Sequence, residues 1–376
     1  MAQKGCVKSL SFDPDVQVRD EKAREEALVH LQKNDFRQAI TTWFKLPLSD
    51  NYVYHAITST QLAQVQEVID HGRANGLHDW YRDEDNKPLP PPPPQDIEAY
   101  IHIFLPSTST TAALKGFESN AKRDSIRRSV AGHLTSKRFL HPHHPLSPQF
   151  NVPKSKKPPP NPYLDFWSWS CRNLEWCGPC PESERTAQSH HVLPVFMHHF
   201  GCVVPSYEAL ELLRRVARGR PIVDAGSGNG YWSFMLRQHG ATAVPVDSAQ
   251  STWRVTWVSD TVVSDAARWL SRKENAGGRD MVLLMVYPIV GGGVAGGVEG
   301  GFTRGLMAAY KGDTVAVVGT QNHNGYTGFR GMTMDEYVEK EQRDWEKVVQ
   351  IPLPSFAGKD EALYIFQRRE PKSDPA

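Results

Sequence analysis

The fold is decided by the stretch PIVDAGSGNGY, residues 221–231. Its first four residues form an apolar run typical of a short strand, and residues 231–239 continue as a helix. Between the two lie three glycines, Gly226, Gly228 and Gly230. Glycine lets the backbone approach a ligand that lies over the carboxyl end of a strand, because no side chain intervenes. The stretch therefore predicts a strand, a ligand-binding loop and a helix in that order.

The alternation of strand and helix continues downstream. Strands are expected at 243–247, 262–265, 281–286 and 314–319, with a helix at 266–270. These strands are apolar throughout instead of alternating with polar residues, as in sheets that are covered on both faces. The pattern predicts a buried, mostly parallel sheet with helices on both sides.

Acidic residues at two strand ends indicate which ligand the loop binds. Asp247 ends the second strand, where it can accept both hydroxyls of a ribose. The loop reads GxGxG, with Gly230 as its third glycine. The dinucleotide pattern GxGxxG would place its third glycine one residue later, where this chain has Tyr231. Asp224 would repel a pyrophosphate but would attract a cationic sulfonium compound that carries an ammonium group. A nicotinamide-dependent oxidoreductase is therefore disfavoured.

Taken together, these motifs resemble those of class I S-adenosylmethionine-dependent methyltransferases. The residues that carry the resemblance are Asp224 to Gly230 (DAGSGNG), Asp247, Ser264-Asp265 and the strand at 280–287, within a match over about 206–369. The resemblance implies an α/β fold with a doubly wound, mostly parallel seven-stranded sheet and, in this chain, an added N-terminal helical region. Its last strand runs antiparallel, and residues 345–350 and 362–367 fit the closing pair.

The resemblance also implies the residues that bind the cofactor, S-adenosyl-L-methionine. They are Asp224, Gly226, Ser227, Gly228, Asn229, Gly230, Asp247 and Asp265. The glycines would pass under the methionine and ribose parts, Asp224 would favour the amino group, and Asp247 would hold the ribose hydroxyls. Asp265 would hold the exocyclic amine of adenine, with Asp260 as a rival for that role. Helix capping is the alternative role for Asp247 and Asp265.

Residues for the methyl acceptor are expected after the fourth and fifth strands. The candidate catalytic residues are His323, Asn322 and Tyr287. His323 is the candidate base because histidine titrates near neutrality, and a solvated surface loop is its alternative. Tyr287 lies in Val-Tyr-Pro-Ile, which lacks the Asn/Asp-Pro-Pro-aromatic signature of enzymes that methylate exocyclic base or amide nitrogens. The glycine-rich residues 291–301 predict a mobile lid or, preferably, an unordered insertion.

The rest of the chain divides by composition. We expect a helical region at 1–87, with two helices broken near Lys33-Asn34-Asp35, and a proline-broken, locally basic linker or helical segment at 88–162. In that linker Pro90 to Pro94 cannot be helical and should form an extended connector. A Trp/Cys-rich segment follows at 163–205, the methyltransferase domain at 206–370 and a tail at 371–376.

The sequence leaves open the role of three of the four cysteines in the connecting segment. Cys177 and Cys180 form a CxxC pair, and Cys171 lies close in sequence. Zinc binding, redox chemistry and buried structural thiols all fit such a pair, and the last is preferred because a second CxxC is absent. No metal site is predicted.

Composition narrows the function classes. The 376 residues carry 43 Lys+Arg and 42 Asp+Glu, so global charge gives no argument for a nucleic-acid partner. No apolar run reaches the roughly 18 residues of a membrane span, and no secretory signal is expected at the N-terminus. The chain is expected in the cytosol or the nucleus, without a membrane partner and with its oligomeric state open.

The sequence thus predicts a methyltransferase that moves a methyl group by direct displacement to a small-molecule or protein acceptor. One alternative is an RNA methyltransferase that uses the basic 115–157 stretch. The other is a non-catalytic binding module that retains the cofactor fold.

Overall fold

The computed structural model describes residues 11–56, 58–185, 189–289 and 298–369. Most of the glycine-rich stretch at 291–301 and the tail at 371–376 lie outside these residues, so the predictions for them are not addressed. Among the described residues, no helix has both the length and the apolar character needed to cross a bilayer.

The elements follow in chain order. The strands are β1 Tyr54–His55, β2 Ser59–Thr60, β3 Phe139–Leu140, β4 Ile222–Ala225, β5 Ala243–Asp247, β6 Val262–Val263, β7 Val282–Val286, β8 Thr314–Thr320, β9 Trp345–Pro352 and β10 Glu361–Arg368. The helices are α1 Pro14–Gln17, α2 Glu21–Gln32, α3 Phe36–Trp43, α4 Leu62–His71, α5 Pro94–His102, α6 Thr110–Ser119, α7 Ile126–Lys137, α8 Ser147–Phe150, α9 Pro162–Leu174, α10 Val192–Phe200, α11 Tyr207–Ala217, α12 Tyr231–Gln238, α13 Ala266–Leu270, α14 Gly301–Ala309 and α15 Met334–Glu341. Short 3-10 helices cover Gly72–Asn75, Pro181–Arg185 and Lys273–Gly278.

The large sheet has the strand order β3-β9-β10-β8-β7-β4-β5-β6. Strand β4 pairs in parallel with both β5 and β7, so the chain winds outward to β6 and then returns to the other side of β4. Strand β10 is antiparallel to both β8 and β9. The mostly parallel α/β sheet and its antiparallel last strand agree with the prediction, but the sheet has eight strands, not seven.

The eighth strand comes from the segment that the sequence marks as a linker. Phe139 and Leu140 of β3 pair with Gln350 and Val349 of β9. A strand of two residues is too short to show alternation in the sequence and therefore could not be predicted. It forms because its backbone pairs with β9. Residues 88–162 therefore do more than connect, since they extend the sheet.

Alternate residues of each central strand face two separate cores. On β10, Leu363 and Ile365 pack in one core, whereas Tyr364 and Phe366 pack in the other. The second core is closed by α13, α14 and α15, and the first by the remaining helices that flank the sheet. Each fully buried side chain of this size contributes roughly 1.5 to 3 kcal/mol of transfer free energy, so both faces stabilise the sheet.

The N-terminal helices share the first core with the sheet. Phe36 and Trp43 of α3 belong to the same buried cluster as Trp167 of α9 and Leu363 of β10. The break between α2 and α3 lies where the sequence predicts it, at Asn34, which has a φ of 59°. The aromatic segment is anchored to the β9–β10 connection, because the indoles of Trp167 and Trp176 both donate to the carbonyl of Ser355, at 3.0 and 2.8 Å.

The structure corrects the prediction for the proline-rich connector. Pro94 begins α5, and Pro162 similarly begins α9. Proline is disfavoured inside a helix but not at its first position, where the missing N–H has no partner in any case. The extended connector therefore ends at Pro93, one residue earlier than the sequence predicts.

Candidate functional site

A cavity of about 700 Å³ opens at the carboxyl ends of β4, β5 and β7. In open α/β sheets this is where ligands bind, because the winding reverses there and leaves a crevice between neighbouring connections. The cavity wall includes the whole loop from Gly226 to Asn229 together with Asp224, Asp247 and Asp265. The N-terminal region adds His55. The structure thus brings most of the predicted cofactor residues to one cavity.

A second cavity of similar volume, about 740 Å³, lies at the opposite edge of the sheet. Its wall includes Arg220 and Asp313, which precede β4 and β8 and bond each other at 2.6 Å. The edge with the amino ends of the parallel strands is not where α/β sheets bind ligands. We therefore place the candidate site at the first cavity.

The glycine loop needs glycine for both conformation and space. Gly226, Gly228 and Gly230 have φ values of 77°, 58° and 82°, in the left-handed region that other residues rarely adopt. A Cβ on Gly230 would lie 2.3 Å from Cγ2 of Val258, and one on Gly228 would lie 2.9 Å from the Trp253 ring. At Gly226 and Gly228 the loop therefore presents backbone without a side chain to the cavity.

Asp224 has a carboxylate oxygen without a partner. The residue is fully buried and lines the cavity. The hydroxyl of Ser233 donates to its Oδ2 at 2.7 Å, but its Oδ1 has no hydrogen-bond partner. Burial raises the pKa of Asp224 to about 6, with a further contribution from the nearby Asp247. Such a group is costly unless a ligand supplies a donor or a positive charge.

Asp247 is fixed by the backbone of the loop. Its Oδ2 accepts from the amide of Gly228 at 2.9 Å, and its Oδ1 accepts from the amide of Ala249 at 2.6 Å. A carboxylate oxygen has two lone pairs, so each oxygen can accept one more hydrogen bond from a ligand hydroxyl. In the loop itself, Ser227 Oγ and Asn229 Nδ2 are buried without a partner.

Asp265 and Asp260 differ in position. Asp265 lines the cavity and also caps α13, because its Oδ1 accepts from the amide of Arg268 at 2.8 Å. Asp260 is absent from the described wall, and its two oxygens each lie 2.8 Å from an Arg237 nitrogen at the surface. Asp265 therefore caps a helix, as its alternative role states, and also lines the cavity. Its rival Asp260 is paired with Arg237 at the surface.

Of the three predicted catalytic residues, Tyr287 is the one that lines the cavity as described. His323 is 53% exposed and lies 3.5 Å from Glu336. Asn322 is buried, and its Oδ1 accepts from the amide of Asn324 at 3.3 Å. The loop after β8 adds no residue to the described cavity wall; the side chains of Gln321 and Asn324 instead donate to Asp360 and to the Gly358 carbonyl in the β9–β10 connection.

The residues just upstream of the glycine loop form a second wall. His198 lines the cavity, with Nδ1 3.0 Å from the Tyr52 hydroxyl and Nε2 2.8 Å from the carbonyl of His55. Burial lowers its pKa, which favours the neutral imidazole. His199 is fully buried against the Tyr54 hydroxyl, 3.0 Å from Nε2. The N-terminal region thus supports one side of the cavity through direct side-chain bonds.

Two aromatic rings that the sequence analysis missed flank the loop. Trp253 lies against Gly228, and Phe302 lies 3.2 Å from a Cβ built on Gly226. Both residues line the cavity. Trp253 lies in the connection after β5, and Phe302 lies in the first turn of α14. At neither position does a sequence periodicity indicate the direction of the side chain.

Of the four cysteines in the connecting segment, Cys202 belongs to the described cavity wall and the other three do not. Cys171, Cys177 and Cys180 are free and buried, and burial raises the pKa of Cys177 to about 12. Tyr81 accepts from the amide of Cys177 at 2.8 Å and donates to the carbonyl of Gly178 at 2.9 Å. Within the described ranges, no three His, Cys, Asp or Glu side chains are placed to hold a metal ion. Protonated, buried thiols favour the structural role.

Three of the ten cations in the basic stretch form close ion pairs within the protein. Arg127 lies 3.0 Å from Asp96, and Lys137 lies 2.9 Å from Asp360. Arg138 bonds Glu208 through two nitrogens. These three cations stabilise the packing of α7 and are poorly available to phosphates.

No protein-family model matches the chain, and no curated protein matches it in sequence. Among solved structures, a crystal structure of the SAM-dependent methyltransferase from Agrobacterium tumefaciens is similar at 13% identity with a TM-score of 0.28. The similarity covers 43% of this chain and spans 61% of that protein. A TM-score this low does not establish a shared fold.

Proposed function

We propose that the chain binds S-adenosyl-L-methionine in the cavity over the glycine loop and is a methyltransferase. The observation that carries the proposal is the unpaired Oδ1 of Asp224 in the cavity wall. A buried carboxylate that lacks one partner favours a cationic, hydrogen-donating ligand, and an ammonium group is such a ligand.

The surrounding residues fit the other parts of this cofactor. Asp247 would accept the ribose hydroxyls, because both of its oxygens are oriented by backbone amides of the loop. Trp253 offers an aromatic face beside Gly228 for the adenine. When bound, the cofactor supplies a methyl group on a positively charged sulfur, and the acidic groups of the wall favour that charge.

The walls also protect the reaction from water. Phe200, Tyr231 and Trp232 give one side of the cavity an aromatic lining, and His55 of the N-terminal region contributes at its edge. Displacement at a sulfonium is fastest when donor and acceptor are aligned and water is excluded. The N-terminal region therefore has a direct role in completing the site.

Two rival functions are less well supported. A dinucleotide would bring its pyrophosphate next to the buried Asp224, which lacks a neutralising cation in the described wall. An RNA acceptor would need the basic stretch, where Arg127, Lys137 and Arg138 are already paired. A small-molecule or protein acceptor remains our proposal.

Binding is tested by titration calorimetry with S-adenosylhomocysteine and with NAD. We expect the first to bind and the second not to bind. Gly228→Arg should abolish binding, because its side chain would enter the space of the Trp253 ring and the cavity. The matched control is Gly132→Arg, at an exposed position on α7 with open space around it. Binding retained by a folded Gly228→Arg protein would overturn the assignment.

Catalysis is tested by transfer of labelled methyl from S-adenosylmethionine into a cell extract. We expect the label in the protein or small-molecule fraction, and its loss with Gly228→Arg. Label in RNA would overturn the acceptor assignment. Cofactor binding without any transfer would identify the chain as a binding module.

A further inference from the structure

A buried acid bonds a residue of the described cavity wall without belonging to that wall itself. Glu361, the first residue of β10, is 1% exposed. Its Oε1 accepts from the hydroxyl of Tyr287 at 3.1 Å, and its Oε2 accepts from the hydroxyl of Ser355 at 2.5 Å. Both oxygens are therefore oriented by hydroxyl donors that favour the ionised carboxylate.

Tyr287 connects this acid to the cavity. The residue follows β7, lines the cavity and has a φ of 50°, a left-handed conformation that is rare for an aromatic residue. The turn is held by two backbone bonds, from the Tyr287 amide to the Val318 carbonyl at 2.8 Å and from the Ile289 amide to the Tyr287 carbonyl at 2.7 Å. Such conformations persist where the surrounding structure enforces them, and they are common at functional sites.

Other ionisable groups surround the pair. Those that face Glu361 are Lys359, Cys202, Tyr100, Tyr163, Tyr287 and Tyr326. Lys359 is buried, with its Nζ 3.4 Å above the Tyr326 ring, and Cys202 lines the cavity. Burial raises the pKa of Glu361 to about 7 although Ser355 and Lys359 oppose it. Burial likewise lowers the pKa of Lys359 to about 8.

We propose that Tyr287 and Glu361 form a proton relay for the methyl acceptor, and hence that the acceptor atom is an O–H or N–H group that loses its proton during transfer. The proposal rests on the proposed function, since it uses the same cavity. Tyr287 is the catalytic residue that contacts the acceptor, and Glu361 acts through it. Ser355 positions Glu361.

The step balances in atoms and charge. The sulfur–methyl bond of the donor breaks, and a bond forms between that methyl carbon and the acceptor oxygen or nitrogen. The acceptor proton passes to the Tyr287 oxygen while the phenolic proton passes to Glu361. The positive charge of the sulfonium and the negative charge of the carboxylate disappear together, so no charge is left in the buried site.

Four variants test the relay. Tyr287→Phe and Glu361→Gln remove its two members, and Ser355→Ala removes one hydrogen bond to Glu361. Tyr364→Phe is the matched control, because Tyr364 lies on the same strand but faces the other core, where its hydroxyl has no partner. Circular dichroism and urea unfolding verify folding; Tyr287→Phe and Ser355→Ala carry the test if Glu361→Gln does not fold.

The readouts are S-adenosylhomocysteine affinity by calorimetry and the pH profile of labelled methyl transfer into the active extract fraction. We expect affinity within twofold of wild type for all four variants. The wild-type rate should rise through a midpoint near pH 7, and Tyr287→Phe and Glu361→Gln should lower it on the order of 100-fold or more. Ser355→Ala should move the midpoint to higher pH, because the lost hydrogen bond had favoured the ionised acid.

The outcomes separate the relay from the function on which it rests. If wild type does not bind S-adenosylhomocysteine, the proposed function fails and the relay fails with it. If wild type and Tyr364→Phe bind and transfer, but Tyr287→Phe transfers at the wild-type rate with an unchanged profile, the relay alone is wrong. A transfer defect in Glu361→Gln without one in Tyr287→Phe would also overturn it.

Discussion

Two buried aspartates at the same edge of the sheet have opposite surroundings. Asp360, in the turn before β10, has both oxygens bonded: Oδ2 lies 2.8 Å from His133 Nε2 and 2.9 Å from Lys137 Nζ, and Oδ1 accepts from Gln321 at 2.8 Å. Asp224, at the end of β4, has Ser233 on one oxygen and no partner on the other. A buried acid with a complete hydrogen-bond network is explained by a structural role, whereas one with an unpaired oxygen in a cavity wall favours a ligand-binding role.

The pKa values of the two acids move in opposite directions, because the effect of burial is offset for Asp360 and not for Asp224. Burial would raise the pKa of Asp360, but its bonds to His133, Lys137 and Gln321 hold it below the usual value. Burial of Asp224 is not offset in this way, so its pKa rises to about 6. Asp360 therefore stabilises the folded chain when ionised, and Asp224 destabilises it.

The largest expected effect is on stability, from Asp360→Asn. Removing this charge leaves Lys137 without its buried counter-ion and His133 without a carboxylate partner, so we expect the free energy of unfolding at pH 7 to fall by about 3 kcal/mol. Urea unfolding measures the change, and calorimetry should give S-adenosylhomocysteine affinity within twofold of wild type. An unchanged stability, or lost binding in the folded variant, would contradict the structural role.

The opposite result is expected for Asp224→Asn. At pH 8 the free energy of unfolding should rise by about 2 kcal/mol, because a buried charge without a full set of partners is removed. S-adenosylhomocysteine affinity should fall at least tenfold, since the ammonium loses its carboxylate. A variant that is less stable at pH 8, or that binds as wild type does, would break the comparison.

The pH dependence sharpens the same contrast. The folded-state pKa of Asp224 is raised to about 6 from an unfolded value of about 4, so its destabilising effect develops as pH rises through this window. The stability gain of Asp224→Asn should therefore vanish near pH 4. The stabilisation from Asp360 is present above its unfolded pKa and is lost as pH falls through its lowered folded value. Urea unfolding from pH 3 to pH 8 measures both.

The sheet could be predicted from the sequence far better than the site could. Strand β5 and helix α13 have the predicted bounds, because long apolar runs and capping residues act locally. Glu361 could not be identified as a candidate, since its partners Tyr287 and Ser355 are set by the antiparallel pairing of β10. His323 is a candidate by residue type alone, and the fold places it at the surface. The direction of a loop depends on tertiary contacts that no local pattern encodes.

The smallest expected effect is that of His323→Ala. Because His323 is 53% exposed and its nearest acid is the exposed Glu336, we expect a stability change below about 0.5 kcal/mol. Methyl transfer should remain within twofold of wild type. A large loss of transfer with cofactor binding intact would restore His323 as a base and would require the loop after β8 to reach the cavity.

The central claim is that a cationic nucleoside cofactor rests on the glycine loop with its amine at Asp224. The most direct measurement is a crystal structure of the chain with S-adenosylhomocysteine. The account predicts the amine nitrogen about 3 Å from Asp224 Oδ1 and the ribose hydroxyls on Asp247. Density for the compound at any other place, with the loop between Ala225 and Tyr231 free of it, would contradict the account.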